Sequence, residues 1–176
     1  MKKTKLMLWV WVAVLLPGTV HAENRIYFGV AMLNSVYTNS RYNHRSAGLM
    51  GRLGYDFNKR FAVEGHFGGS IGPESNTNTN IGQAQMDSIY SAFLRLNTYI
   101  GEQRLYALAG MSYGTQVLRS SGAGMFHKNS DTNRSLGFGL EIFGNQDLSF
   151  DFQLIRYFDN RYYTVDAFNL GLVTRF

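Results

Sequence analysis

From Asp166 to Phe176 the chain alternates residue by residue between two chemistries. Phe168, Leu170, Leu172, Thr174 and Phe176 share one parity, and Ala167, Asn169, Gly171, Val173 and Arg175 share the other. Side chains with a period of two lie on opposite faces of a β-strand, whereas no helix separates them this way. One face of this strand is greasy and the other is small or polar. It therefore needs apolar surroundings on one side only.

The same alternation recurs along the chain. Leu49, Gly51, Leu53, Tyr55 and Phe57 oppose Gly48, Met50, Arg52, Gly54 and Asp56. Phe61, Val63, Gly65 and Phe67 oppose Ala62, Glu64, His66 and Gly68. Tyr90, Ala92, Leu94 and Leu96 oppose Ser91, Phe93, Arg95 and Asn97. Leu136, Phe138, Leu140 and Ile142 oppose Ser135, Gly137, Gly139 and Glu141, and Leu148, Phe150, Phe152 and Leu154 oppose Ser149, Asp151 and Gln153. Two further strands, 26–33 and 105–114, are apolar on both faces, so their register stays open. Eight strands are expected in all, an even number that can close antiparallel.

The connections alternate in length. Short polar turns follow Phe57, Ile100 and Phe143, and longer polar stretches cover Tyr37–Ser46, Gly69–Asp87, Thr115–Asn133 and Arg156–Val165. The spacing of about 40 residues also suits propeller blades. Blades of that kind carry a Trp-Asp signature, and the tryptophans here are Trp9 and Trp11, ahead of every strand.

The N-terminus bears on compartment. Lys2, Lys3 and Lys5 precede an apolar run from Leu6 to Leu16, then Pro17-Gly18 and the small-residue site Val20-His21-Ala22. This is the plan of a secretory signal peptide over residues 1–22, leaving residues 23–176 as the exported domain. The apolar run is about half the ~20 residues of a helical membrane span. The formal net charge of +5 falls once Lys2, Lys3 and Lys5 leave, so basicity is no argument for a nucleic-acid partner. There are no cysteines to staple an exported domain. A closed barrel in lipid needs none, because every backbone group is paired within the sheet.

Alternation alone cannot say which face points inward. A soluble barrel puts its apolar face inside; a membrane barrel puts it outside. Gly48, Gly54, Gly68, Gly137, Gly139 and Gly171 lie on the polar faces, and small residues suit the inside of a narrow barrel. Together with the final strand ending on Phe176, this favours an apolar exterior. The expected fold is all-β, an eight-stranded antiparallel up-and-down transmembrane β-barrel.

The signal, the strand count, the loop plan and the terminal Phe176 resemble the small eight-stranded outer-membrane β-barrel family, which includes the OmpA transmembrane domain, the OmpX and Ail group and opacity-type surface proteins. The segments Gly54–Phe61 and Leu108–Gly114 look like hairpin pieces of that family. The resemblance implies an outer-membrane location in bacteria, contact with lipid and lipopolysaccharide, and a monomer. It also implies that Phe168, Leu170, Leu172 and Phe176 form the signal read by the barrel-assembly machinery. Unlike full-length OmpA, the chain is expected to carry no peptidoglycan-binding domain after the barrel.

Some barrels of this kind are enzymes on lipid or peptide. A lipid A deacylase carries His-x-Ser on a late strand, where this chain has Leu154-Ile155-Arg156-Tyr157. Palmitoyl-transferring barrels begin with an amphipathic helix, where Glu23-Asn24-Arg25 runs straight into a strand. His44 with Ser46 sits early, at a loop-to-strand junction, and Glu64 with His66 shares one strand face as a base and its orienting acid would. The first is a pair that chance readily produces, the second is expected to be a satisfied interior pair, and no His, Cys or Asp cluster has metal spacing. The expectation is therefore a non-enzyme with no cofactor and no metal. Arg52, Arg95, Glu64, Glu141 and Asp151 all fall on polar faces, and ionised groups in a narrow lumen must pair. They are expected to form an interior network that plugs it.

Function then falls to the loops. Arg41, Arg45, Arg119, Lys128 and Arg161 are candidate contacts to lipopolysaccharide phosphates or to an acidic host or surface ligand. Three functions stay open: a surface barrel with envelope or adhesion roles, an outer-membrane lipid hydrolase, and a small-solute channel.

Overall fold

Strands with period-two patterning pair in sequence order until the sheet closes on itself. The computed structural model describes residues 26–39, 43–71, 84–119, 126–144 and 147–176. Its strands are β1 (Ile26–Asn39), β2 (Asn43–Asp56), β3 (Phe61–Ser70), β4 (Ala84–Ile100), β5 (Gln103–Arg119), β6 (Phe126–Phe143), β7 (Leu148–Asp159) and β8 (Tyr163–Arg175). Each pairs antiparallel with the next and β8 pairs back on β1, giving a closed eight-stranded barrel.

The apolar faces point out. Leu94 is 67 % exposed, Leu136 65 %, Phe138 62 % and Leu49 57 %. An apolar surface running right round a barrel is a lipid-facing band. The register of the two ambiguous strands is now fixed. On β1, Tyr27, Ala31, Leu33 and Ser35 are buried while Ile26, Phe28, Val30 and Met32 face out. On β5, Arg104, Tyr106, Leu108 and Ser112 are buried while Met111 and Tyr113 face out. These strands look apolar on both faces because the upper lumen is itself apolar.

Chain reversals at one end are tight. The Asn58 side-chain oxygen accepts from the Arg60 and Phe61 N–H groups at 2.8 and 2.9 Å. Gly101 turns β4 into β5 at φ 61°, a left-handed conformation that a side chain disfavours. At the other end the strands run further than hydrophobicity suggests. Stretches expected as loops are partly strand: β1 continues to Asn39, β5 to Arg119, and β6 begins at Phe126. Thr115 still pairs with Ser130, and Gln116 with Asn129. In this part both strand faces carry polar side chains, so the ladder persists while the apolar alternation that reveals it stops.

A closed ladder offers no free edge for detergent to open along the lipid-spanning wall. Unboiled protein is expected to migrate faster than boiled protein on a denaturing gel. Identical migration in both lanes would contradict the closed wall.

Candidate functional site

The lumen is built in layers from inward-facing side chains. Nearest the tight turns, Arg175 donates from Nη2 to both oxygens of Glu141 at 2.7 Å. Arg104 lies 3.4 Å from Asp56 and 3.5 Å from Glu141. One step further in, Arg95 bridges Glu141 at 2.9 Å and Glu64 at 2.7 Å, and its Nε donates to Asn97 at 2.8 Å. Its guanidinium sits 3.6 Å over the Tyr106 ring. Arg52 pairs with Asp151 at 2.9 Å and lies 3.5 Å from Glu64. Tyr27 and Tyr106 donate their hydroxyls to Glu64 and Asp151, each at 2.6 Å.

The expected members Arg52, Glu64, Arg95, Glu141 and Asp151 thus sit together inside, all nearly or wholly buried. Asp56, Arg104 and Arg175 join them, so the described interior holds Arg52, Arg95, Arg104 and Arg175 against Asp56, Glu64, Glu141 and Asp151. The charges balance one for one. Asp56 and Arg175 were legible as residues on polar faces. Arg104 was hidden at a turn, and Tyr27 and Tyr106 on the strands whose register was open.

Above the ions lies a polar relay. His66 contacts Glu64 through Nε2 at 2.6 Å and the Tyr157 hydroxyl through Nδ1 at 3.0 Å. Asn169 donates to Tyr157 at 3.3 Å and to Gln153 at 2.8 Å. Ser91, Ser112 and Ser135 chain together at 2.6 Å per link, and Ser135 donates to the Tyr157 carbonyl at 2.8 Å. Both nitrogens of His66 are occupied and its side chain is buried, so a substrate has no approach to it. The Ser46 hydroxyl contacts the Ser35 hydroxyl at 2.8 Å. The His44 side chain lies outside the described part.

The long-loop half of the lumen is apolar. Leu33, Met50, Ile89, Phe158 and Val165 are each no more than 1 % exposed and belong to one packed cluster. A register shift between Arg156 and Phe158 turns both Tyr157 and Phe158 inward. Tyr37 stacks on Tyr163 over this cluster, with ring centroids 5.2 Å apart. The lumen is closed twice, by ions below and by hydrocarbon above.

Outside, a charged row sits directly on the apolar band. Arg45 pairs across the ladder with Val36, Val36 with Asp166, Asp166 with Arg156, and Arg156 with Leu136. Phe138, Leu154 and Phe168 form the row below. Arg156 grips Asp166 at 2.7 and 3.1 Å, while Arg45 is exposed with no carboxylate partner among the described residues. Two shallow depressions of about 490 and 450 Å³ flank Leu154, lined by Arg45, Asp166 and Phe168 on one side and by Phe138, Arg156 and Asp159 on the other.

Of the other loop candidates, Arg161 is exposed on the β7–β8 turn. Arg41 lies outside the described residues, as do the side chains of Arg119 and Lys128. Phe168, Leu170, Leu172 and Phe176 all face outward on the last strand, and the Phe176 N–H donates to the Ile26 carbonyl at 3.0 Å.

Comparison with known proteins returns one architecture. A family model described as outer membrane protein beta-barrel domain matches residues 12–176. The crystal structure of Ail, the attachment invasion locus protein of Yersinia pestis, in complex with the heparin analogue sucrose octasulfate superposes with a TM-score of 0.67 at 20 % identity, covering 88 % of this chain and 100 % of that one. The N-terminal β-barrel domain of Pseudomonas aeruginosa OprF gives 0.64 at 12 % identity, covering 88 % and 100 %. Neisserial surface protein A gives 0.64 at 13 % identity, covering 86 % and 97 %. No curated protein matches by sequence. At such identities the likeness to solved structures establishes the fold alone.

Proposed function

The chain belongs to the outer-membrane β-barrel domain family, and from that premise we propose that it is a non-enzymatic surface barrel that holds lipopolysaccharide phosphates at its outer rim. Its long-loop end faces outward, in keeping with the short inner turns and long outer loops of such barrels. On this reading residues 1–22 direct export and are removed, and the outward row of Phe168, Leu170, Leu172 and Phe176 is read by the barrel-assembly machinery. The twice-closed lumen argues against a solute path and turns attention to the outer wall.

One observation carries the proposal. Arg45 lacks a carboxylate partner among the described residues and stands where the apolar band ends, beside a depression that is greasy below and charged above. A lipid with acyl chains against Phe168 and Leu154 would bring its phosphate to that height. Ail, the structural relative, was crystallised with a sulfated heparin analogue, an anionic sugar of related charge.

The test compares wild type with Arg45→Ser for lipopolysaccharide retained per barrel after purification. Several-fold less is expected on the variant, with an unchanged denaturant midpoint in plain detergent. An exposed charge contributes only about 0–1 kcal/mol to a fold in water, so stability there should not move. Equal retention by the two proteins would refute the site.

A further inference from the structure

The wall of the barrel is not of even height. β6 runs from Phe126 to Phe143, yet it pairs with β7 only from Leu136 to Phe143. Its upper part, residues 126–135, is paired with β5 alone, through Gly110 to Arg119. Among the described residues nothing forms a ladder on its other side. A free edge of this length presents a row of unpaired donors and acceptors, a template for an added strand.

The phase of the ladders says which groups point there. The Asn97 N–H donates to the Arg60 carbonyl, so odd residues of β4 bond toward β3 and even ones toward β5. Carried across the register, odd residues of β6 bond toward β5, and even ones point to the β7 side. Thr132 and Arg134 therefore aim their N–H groups at the free edge. Neither group is bare. The Thr132 N–H donates to Asp131 Oδ1 at 2.8 Å, and the Arg134 N–H donates to Asn133 Oδ1 at 2.9 Å. Short Asp and Asn side chains that turn back on the main chain compete with ladder bonding. Here they do so at successive edge positions.

Asp131 has a second engagement. Its Oδ2 accepts from Asn160 Nδ2 at 3.0 Å and from the Tyr163 hydroxyl at 3.1 Å. That holds the carboxylate in place while Oδ1 covers the edge.

We propose that Asp131 and Asn133 close the upper edge of β6 against strand addition, and that the strand they exclude is the same edge of a second copy of this chain. Two copies meeting edge to edge, head to head, present the same donors and acceptors to each other in antiparallel register. A strand pairing at Thr132 or Arg134 would have to displace a side-chain cap already in place. The inference is independent of the lipid site, since Arg45 lies on β2, on the opposite side of β1 and β8 from this edge.

The experiment uses the full barrel in one detergent, with molar mass measured by light scattering over a range of concentrations. Wild type should remain a monomer throughout. Asp131→Ala with Asn133→Ala should form dimers at a concentration at least 10-fold lower than any at which wild type does. Asn133→Ala alone, which leaves the Asp131 contacts to Asn160 and Tyr163 intact, should shift in the same direction. Asp131→Asn keeps the capping oxygen and should stay monomeric. Adding Thr132→Pro to the double variant removes an edge N–H that β5 does not use, and should abolish the dimer. Monomeric behaviour of both alanine variants would overturn the proposal, as would dimers that survive Thr132→Pro or a wild type that already pairs.

Discussion

Arg95→Ala should lower the stability of the folded barrel by about 3–5 kcal/mol, the usual cost of stripping a buried ion pair of one partner. Arg95 is 1 % exposed and lies between Glu64 and Glu141, at 2.7 and 2.9 Å. Without it the interior carries one anion more than its cations. Arg52 approaches Glu64, and Arg104 and Arg175 approach Glu141, from other directions, each on a side chain anchored to a different strand. Arg161→Ala on the exposed β7–β8 turn should change stability by no more than about 0.5 kcal/mol. The denaturant midpoint of both variants in the same detergent decides the matter. A midpoint for Arg95→Ala equal to that of wild type would mean that the charges are solvated, and that water fills the lumen instead of side chains.

Phe158→Ala should be comparably costly, at about 3–5 kcal/mol, for a different reason. It empties a site in a packed apolar cluster, and the loss combines transfer energy with a cavity. The ring lies over Gly114, where even a methyl group would collide with it. Ile89 comes from β4 and Val165 and Tyr163 come from β8, held apart by the closed ladder, so the site cannot collapse. The variant should nevertheless conduct no ions across a planar bilayer, because the ion-paired half of the lumen still closes the path. Steady single-channel current through Phe158→Ala, absent from wild type, would show that the apolar half is the sole barrier.

Legibility in the sequence followed the physics of each region. Where one strand face meets lipid and the other meets ions, as on β3 and β7, hydrophobicity alternates and the faces can be read directly. Where both faces meet hydrocarbon, as at Leu33 or Leu108, the pattern is silent and only the register of the neighbours decides. Where both faces carry polar side chains, as around Thr115 and Ser130, strand passes for loop. Arg95 and Glu64 were readable as a charged pair because each breaks an otherwise uncharged stretch. The part played by Tyr27 was not, since a tyrosine on an apolar strand says nothing of the carboxylate its hydroxyl will find. The edge caps at Asp131 and Asn133 were invisible for a similar reason: polar residues in a polar stretch have meaning only once the missing partner strand is known.

The ionic interior has a consequence for how such a chain reaches its shape. Arg52 on β2 meets Asp151 on β7, Tyr27 on β1 meets Glu64 on β3, and Tyr106 on β5 meets Asp151 on β7. Arg95 on β4 and Arg175 on β8 both converge on Glu141 on β6. Each of these contacts skips over at least one strand, and the Arg52–Asp151 pair skips over two, β1 and β8. A sheet that has not closed lacks the Arg52–Asp151 pair, and it would have to bring those unmatched charges to the edge of the hydrocarbon. Partial assemblies are thus penalised while the completed circle is not. The interior works as an interlock, in which the last seam to join, between β8 and β1, brings Arg52 on β2 to Asp151 on β7.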